Sequence, residues 1–255
     1  MKKKNVFVVL LLVLFVALVM IYMVPQNAPY HWSARLVREI QKGNTEKALL
    51  IIEEGVEAGY SMDTPDKRRT WLTTLCEIHI TTPLNAACNE RNISLVTALL
   101  EAGASVEAVH EGSGRAPLFE VLFEGYSSND LAIVQQLWEY GASFEFDDHD
   151  GYPIHEVIKR SWTSSKGVVL DEHELLQGIT DVFLYIAQRT DCYVLEASGR
   201  NVLHNAAVFH NWILCETLVN VFDFDLDAKD KQGKTAYDYA VQNDAPKDIL
   251  QLLQP

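Results

Sequence analysis

The stretch TPLNAACNERNISLVTALLEAGASVEA, residues 82–108, recurs in outline along most of this chain, and that periodicity limits the fold more than any other feature. Pro83, Pro117 and Pro153 each precede Leu or Ile, in TPLN, APLF and YPIH, at spacings of 34 and 36 residues. NVLH at 201–204 and TAYD at 235–238 fill the same place after further spacings of 49 and 34 residues. Gly103-Ala104 and Gly141-Ala142 each follow an apolar run.

Elementary chemistry predicts the unit. Thr82 can cap a helix, and Pro83 suits a first helical position because its missing N–H would find no partner there. Leu84, Ala87 and Cys88 share one helical face, and the small residues at 86–88 let a second helix come close. Ile93, Val96, Leu99 and Leu100 carry the apolar spacing of that second helix. Gly103 supplies the left-handed stop. Each unit is therefore expected to be helix, short turn, helix and an extended polar loop.

Units of this kind resemble ankyrin repeats. The family's Thr-Pro-Leu-His-x-Ala motif is matched by Thr82-Pro83-Leu84-Asn85-Ala86-Ala87, and residues 226–240 resemble an inter-repeat hairpin running into the next unit. The match is strong over 82–108 and 199–240 and weaker over 34–60 and 112–195. Asn85 and Phe119 replace the His whose ring ties adjacent turns in the family, whereas His155 and His204 keep it; Arg91 stands where Gly is common. The resemblance implies an all-α ankyrin-repeat solenoid over 34–255 of about six helix pairs joined by hairpin loops. The units lie near 34–60, 82–108, 116–145, 152–195, 201–228 and 235–254. Residues 34–55 read as an amino-terminal capping pair.

Three places break the period. Residues 56–80 are too long for a simple hairpin, and WLTTLCEIHI within them alternates in the manner of an extended finger. EGYSSND at 124–130 lengthens a turn between two helices. RSWTSSKGVVLDEHE at 160–174 accounts for most of the 49-residue spacing. Long surface insertions are tolerated, since doubling a loop costs only about 0.6 kcal/mol.

The amino terminus reads differently. After a cationic tail at 1–5, residues 6–24 carry no charge. A helix of that length, at ~1.5 Å per residue, is ~28 Å long, against a hydrocarbon core of ~30 Å. The expectation is a transmembrane signal anchor at 6–24, a linker at 25–33, and Tyr22 and Trp32 as interfacial anchors. A cleaved signal peptide is the competing reading, with a shorter apolar run and no small-x-small site to support it. Lys2, Lys3 and Lys4 place the amino terminus in the cytoplasm and the repeats outside it. That describes a single-pass membrane protein, with a bacterial inner membrane and a periplasmic repeat domain favoured.

Charge and motifs narrow the function. The chain carries −14, and −17 without its three leading lysines, which disfavours nucleic-acid phosphates and anionic lipid as partners, and no nucleic acid is expected. A basic protein partner would suit this charge, which serves solubility equally well. Cys76, Cys88, Cys192 and Cys215 form no CxxC, and one disulfide stays open. HEVIK at 155–159 and HELLQ at 173–177 begin like a zinc-protease motif but place Lys159 and Gln177 where the second His must stand. DDHDG at 147–151 fails as a calcium loop at Phe146 and Val157. Asn92-Ile93-Ser94 is a formal glycosylation sequon. No catalytic, cofactor or metal residues are expected. Family members meet protein partners at the hairpin tips, which implies contacts from His110, Glu111, His149, Asp150, Arg200 and Lys231, with Trp162 and Lys166 added from the long insertion. The expected function is protein–protein interaction. The alternatives are an inhibitor or immunity-type binder of a basic secreted protein, and a hydrolase built on the 56–80 or 160–174 insertion.

Overall fold

A computed structural model describes residues 29–65, 81–109, 114–123, 125–145, 152–159 and 171–255. Among them there are helices and no strands. The amino-terminal pair is α1 (Pro29–Gln41) and α2 (Thr45–Glu57). Then follow α3 (Pro83–Asn89) with α4 (Ile93–Glu101), α5 (Pro117–Phe123) with α6 (Asp130–Glu139), and α7 (Pro153–Lys159) with α8 (Glu172–Ala187). The last pairs are α9 (Val202–Val208) with α10 (Trp212–Val221), and α11 (Ala236–Gln242) with α12 (Lys247–Leu253).

Local chemistry explains where these helices begin and end. In α3 the Thr82 hydroxyl accepts from the Asn85 N–H at 3.2 Å, with Pro83 at the first position. In α4 the Asn92 side chain accepts from Leu95 N–H at 3.1 Å, and Gly103, at φ 88°, ends the helix in the left-handed region. Asn201 and Thr235 open α9 and α11 with reciprocal capping boxes to His204 and Asp238.

Packing arranges the pairs in two rows. Helices α1, α3, α5, α7, α9 and α11 stack each on the next, and α2, α4, α6, α8, α10 and α12 do the same beside them. One continuous apolar core runs between the rows from Trp32 to Leu253. No unit buries its apolar face alone; each is completed by its neighbours, as in a solenoid.

The amino-terminal expectations need correction. Residues 6–24 lie outside the described residues. Among the described residues no helix is long and apolar enough to cross a membrane. That finding overturns the single-pass placement with extracytoplasmic repeats at a bacterial inner membrane. Trp32, expected as an interfacial anchor beyond a membrane helix, is a core residue. It is 3% exposed, its indole N–H donates to Ile51 O at 2.6 Å, and its ring fills the space a Cβ on Gly55 would need. The expected linker at 25–33 is helical from Pro29 onward, because Trp32, Leu36, Val37 and Ile40 present one apolar face to the core.

The insertions behave differently from one another. The finger expected within 56–80 lies largely at 66–80, outside the described residues. Its first part packs down: Met62 is buried, Thr64 O accepts from the Ser33 hydroxyl at 2.6 Å, and Asp63 accepts from Ser105 N–H at 2.8 Å. In the turn before α6, Tyr126 is buried against Gly178 of α8, where its ring leaves no room for a Cβ. Part of the 160–174 insertion is helix. Asp171 caps α8, which at 16 residues is longer than α6 at 10, so helix extension takes up some of the extra length.

Candidate functional site

The stack has two edges, and the difference between them decides where a partner could bind. One edge carries the turns inside each pair, and asparagines lock it. Asn92 donates to the Thr45 hydroxyl at 2.7 Å, Asn129 donates to Arg91 O at 3.0 Å, and Asn243 donates to Ala207 O at 3.0 Å and Val208 O at 3.2 Å. The sequon asparagine, Asn92, is thus consumed by the turn it belongs to. Arg91 holds a left-handed backbone at φ 50°, and its guanidinium donates to Val121 O at 3.1 Å and Gly125 O at 3.2 Å. Its Nε lies 3.4 Å from the fully buried Asp130 carboxylate.

The opposite edge carries the loops between pairs. Here the first-helix polar residue ties each loop down. Asn85 donates to Arg115 O at 3.0 Å, so the amide takes over the bridging task of the family's His. His155 is fully buried; its Nδ1 accepts from Asn205 at 3.0 Å, which leaves the proton on Nε2 to donate to Val194 O at 3.0 Å. His204 Nε2 lies 3.1 Å from both Ala228 O and Lys234 O. Burial pushes both imidazoles below their ordinary pKa, consistent with neutral structural rings. Lys159 bridges Glu156 at 2.6 Å and Glu196 at 2.7 Å. Burial alone would raise Glu196, but the Lys159 ammonium brings it below the usual carboxylate range.

The two residues of HEVIK that looked closest to metal chemistry, His155 and Lys159, are therefore bound into the packing. Among the described residues no group of three or more His, Cys, Asp or Glu could hold a metal ion. Cys88, Cys192 and Cys215 are free, buried thiols, and burial pushes the Cys88 and Cys215 thiols up. Cys76 lies outside the described residues.

Of the residues expected at the tips, His110, Glu111, His149, Asp150, Trp162 and Lys166 lie outside the described residues. Arg200 and Lys231 are brought to neighbouring loops. They are not equivalent. Arg200 is part-buried, with Nε 3.7 Å from Asp230 and its guanidinium over the Tyr239 ring at 5.2 Å, so it braces its loop. Lys231 is exposed; its backbone N–H donates to Ser198 O at 3.1 Å, which joins the two tips and leaves the side chain outward. The same edge presents apolar side chains that the sequence reading passed over: Tyr193, Leu195 and Val221 are exposed. Leu195 in a polar loop was the available signal.

Residues 81–111 match the family model of the ankyrin repeat. One repeat of that family is thus matched in this chain, and it encloses α3 and α4. Across 129 residues, 47% of its length, the chain is 29% identical to an ankyrin repeat protein of Rickettsia bellii (strain RML369-C), covering 52% of that protein. Over 228 residues, 81% of the chain, it is 24% identical to the Caenorhabditis elegans homolog of transient receptor potential cation channel subfamily A member 1, of which the match covers 17%. The chain thus spans about half the length of the first relative and a small part of the second. Ankyrin repeats indicate a protein–protein interaction role.

Proposed function

We propose that this ankyrin-repeat chain binds a protein partner along its loop edge and performs no catalysis of its own. The observation that carries the reading is the asymmetry of the two edges. The turn edge is closed by asparagine bonds and the buried Arg91–Asp130 pair. On the loop edge the stack is held by backbone and buried polar groups, which leaves Lys231 and its neighbours facing outward. Side chains there can change without harming the stack, which is the property a recognition surface needs.

Lys231 is a proposed contact, together with His110, Glu111, His149, Asp150, Trp162 and Lys166; Arg200 supports the loop from beneath. The charge of −14 favours a basic protein and disfavours nucleic acid. The test is capture by the full chain followed by cross-linking mass spectrometry. Cross-links are expected to concentrate on the loops between pairs, Lys231 among them. Cross-links confined to the turn edge would overturn the reading.

A further inference from the structure

His155 ties three parts of the stack together at the joint between the fourth and fifth helix pairs. It stands on α7, its Nε2 lies 3.0 Å from Val194 O in the loop after α8, and its Nδ1 lies 3.0 Å from the Asn205 amide of α9. Val194 O can only accept, so the ring proton belongs on Nε2, and Nδ1 must be bare to accept from Asn205. The joint is built for a neutral imidazole, and the ring is fully buried. Other residues at this register make no such demand. Asn85 bridges its loop with an amide, which does not titrate, Phe119 has no polar atom, and His204 turns its Nδ1 to Asn201 of its own unit.

A second proton on His155 would be poorly received. Nδ1–H would face the Asn205 N–H2, donor against donor. Asn205 Oδ1, buried without a partner among the described residues, could accept that proton only if the amide turned, and the bond now made would still be lost. Glu196 faces the ring with Oε1 4.0 Å from Nδ1, but the Lys159 ammonium stands 2.7 Å from the same oxygen and already neutralises it. The other charges on the packed elements turn elsewhere. Glu156 of α7 pairs with Lys159 at 2.6 Å, and α5 carries only Glu120, at the register of Glu156. On α8, Glu172, His173, Glu174 and Asp181 are all exposed, and His204 of α9 meets Ala228 O and Lys234 O. Burial, helped by Lys159, holds the imidazole below its ordinary 6.5 against the pull of Glu196 and Val194 O.

We propose that this joint is a pH-sensitive contact: protonating His155 breaks its bond with Asn205 and loosens α9 and the loop at Val194. In a solenoid each interface acts mainly on its neighbours, so the loss stays local and the joint bridged by Asn85 is unaffected. An imidazole held below its ordinary value contributes stability that is whole above pH 6.5 and is lost as pH falls through the folded value. Mild acid therefore loosens the stack at one place, whether or not a partner is bound.

Two measurements on the full chain test this. The first is an NMR titration of the His155 ring, which reports tautomer and pKa together. A proton on Nε2 alone at neutral pH and a midpoint below 6.5 are expected. A midpoint at or above 6.5, or a proton on Nδ1 at neutral pH, overturns the proposal. The second is Tm of the natural chain and of His155→Asn from about pH 7.5 to about pH 5. That variant installs the amide used at Asn85, and the two proteins share every other titrating group. The natural chain is expected to lose about 2–4 °C relative to the variant as pH falls, the shift for one hydrogen bond in a domain of this size. A difference that stays constant, or changes in the opposite sense, overturns the proposal. Hydrogen exchange of the two proteins, compared at equal pH, locates the change: faster exchange of the natural chain in acid is expected over 188–208 and not over 82–101. Faster exchange spread over all the helices overturns a local joint. If His155→Asn does not fold, the ring titration decides alone.

Discussion

Arg91 shows what a single residue can hide. The unit pattern favours Gly there, and the structure agrees that the backbone is left-handed, at φ 50°. That conformation costs a residue with a side chain about 1–2 kcal/mol. Removing one partner of a buried ion pair costs about 3–5 kcal/mol. The second effect wins, so Arg91→Gly is expected to lower stability by about 2 kcal/mol despite relieving the backbone. Urea unfolding measures it, and an unchanged or raised midpoint would contradict the argument. The partners of Arg91 lie 30 to 39 positions along the chain, at Val121, Gly125 and Asp130, which is why a local pattern could mark the departure but not its compensation. Glu39 gives a pH-dependent counterpart. Bonds from Asn44 and Lys42 pull its pKa from 4.5 down to about 2. A depressed carboxylate contributes stability above its ordinary pKa and loses it as pH falls toward the folded value. Glu39→Gln is therefore expected to lower Tm at pH 6, with the gap narrowing as pH drops from 4.5 toward 2. A gap that stays constant over that range would show that Glu39 contributes shape rather than charge.

At the scale of elements, the helix pairs were legible because each is announced by chemistry within a few residues: Thr82-Pro83 before α3, Asn92 before α4, Gly103 after it. One boundary was not: Pro29 begins α1 inside residues 25–33, which read as a linker. The 160–174 insertion read as an exposed loop with helix-start residues at 173–177; Asp171 caps that helix, which then runs 16 residues. Helix length is set here by what α8 packs on, including Tyr126 at Gly178, and that contact is invisible in sequence. Asn92 does two jobs at once, capping its own helix and gripping the neighbouring turn. Asn92→Ala removes the bond to Leu95 N–H and the bond to Thr45 together, for an expected loss of about 1–2 kcal/mol. Asn92→Asp should keep the cap and lose only the donor, with a smaller loss. Equal losses for the two variants would remove the cross-turn bond from the account.

For the whole molecule, stacking in two rows makes the fold a line of nearest-neighbour contacts, with one edge shut and the other presented. Repetition was readable because it is one-dimensional. The seating of exposed Tyr193 on Phe224 was not, because the two residues come from loops about 30 residues apart. The family motif could point to hairpin tips in general; only the packed structure shows Arg200 turned inward and Lys231 outward. The central claim is that recognition occurs on the loop edge. Hydrogen–deuterium exchange of the full chain, alone and with its captured partner, tests it most directly. The account predicts new protection in the loops at 188–200 and 222–235, with the turns at 209–211 and 243–246 unchanged. Protection confined to those turns, or spread evenly over the helices, would contradict it.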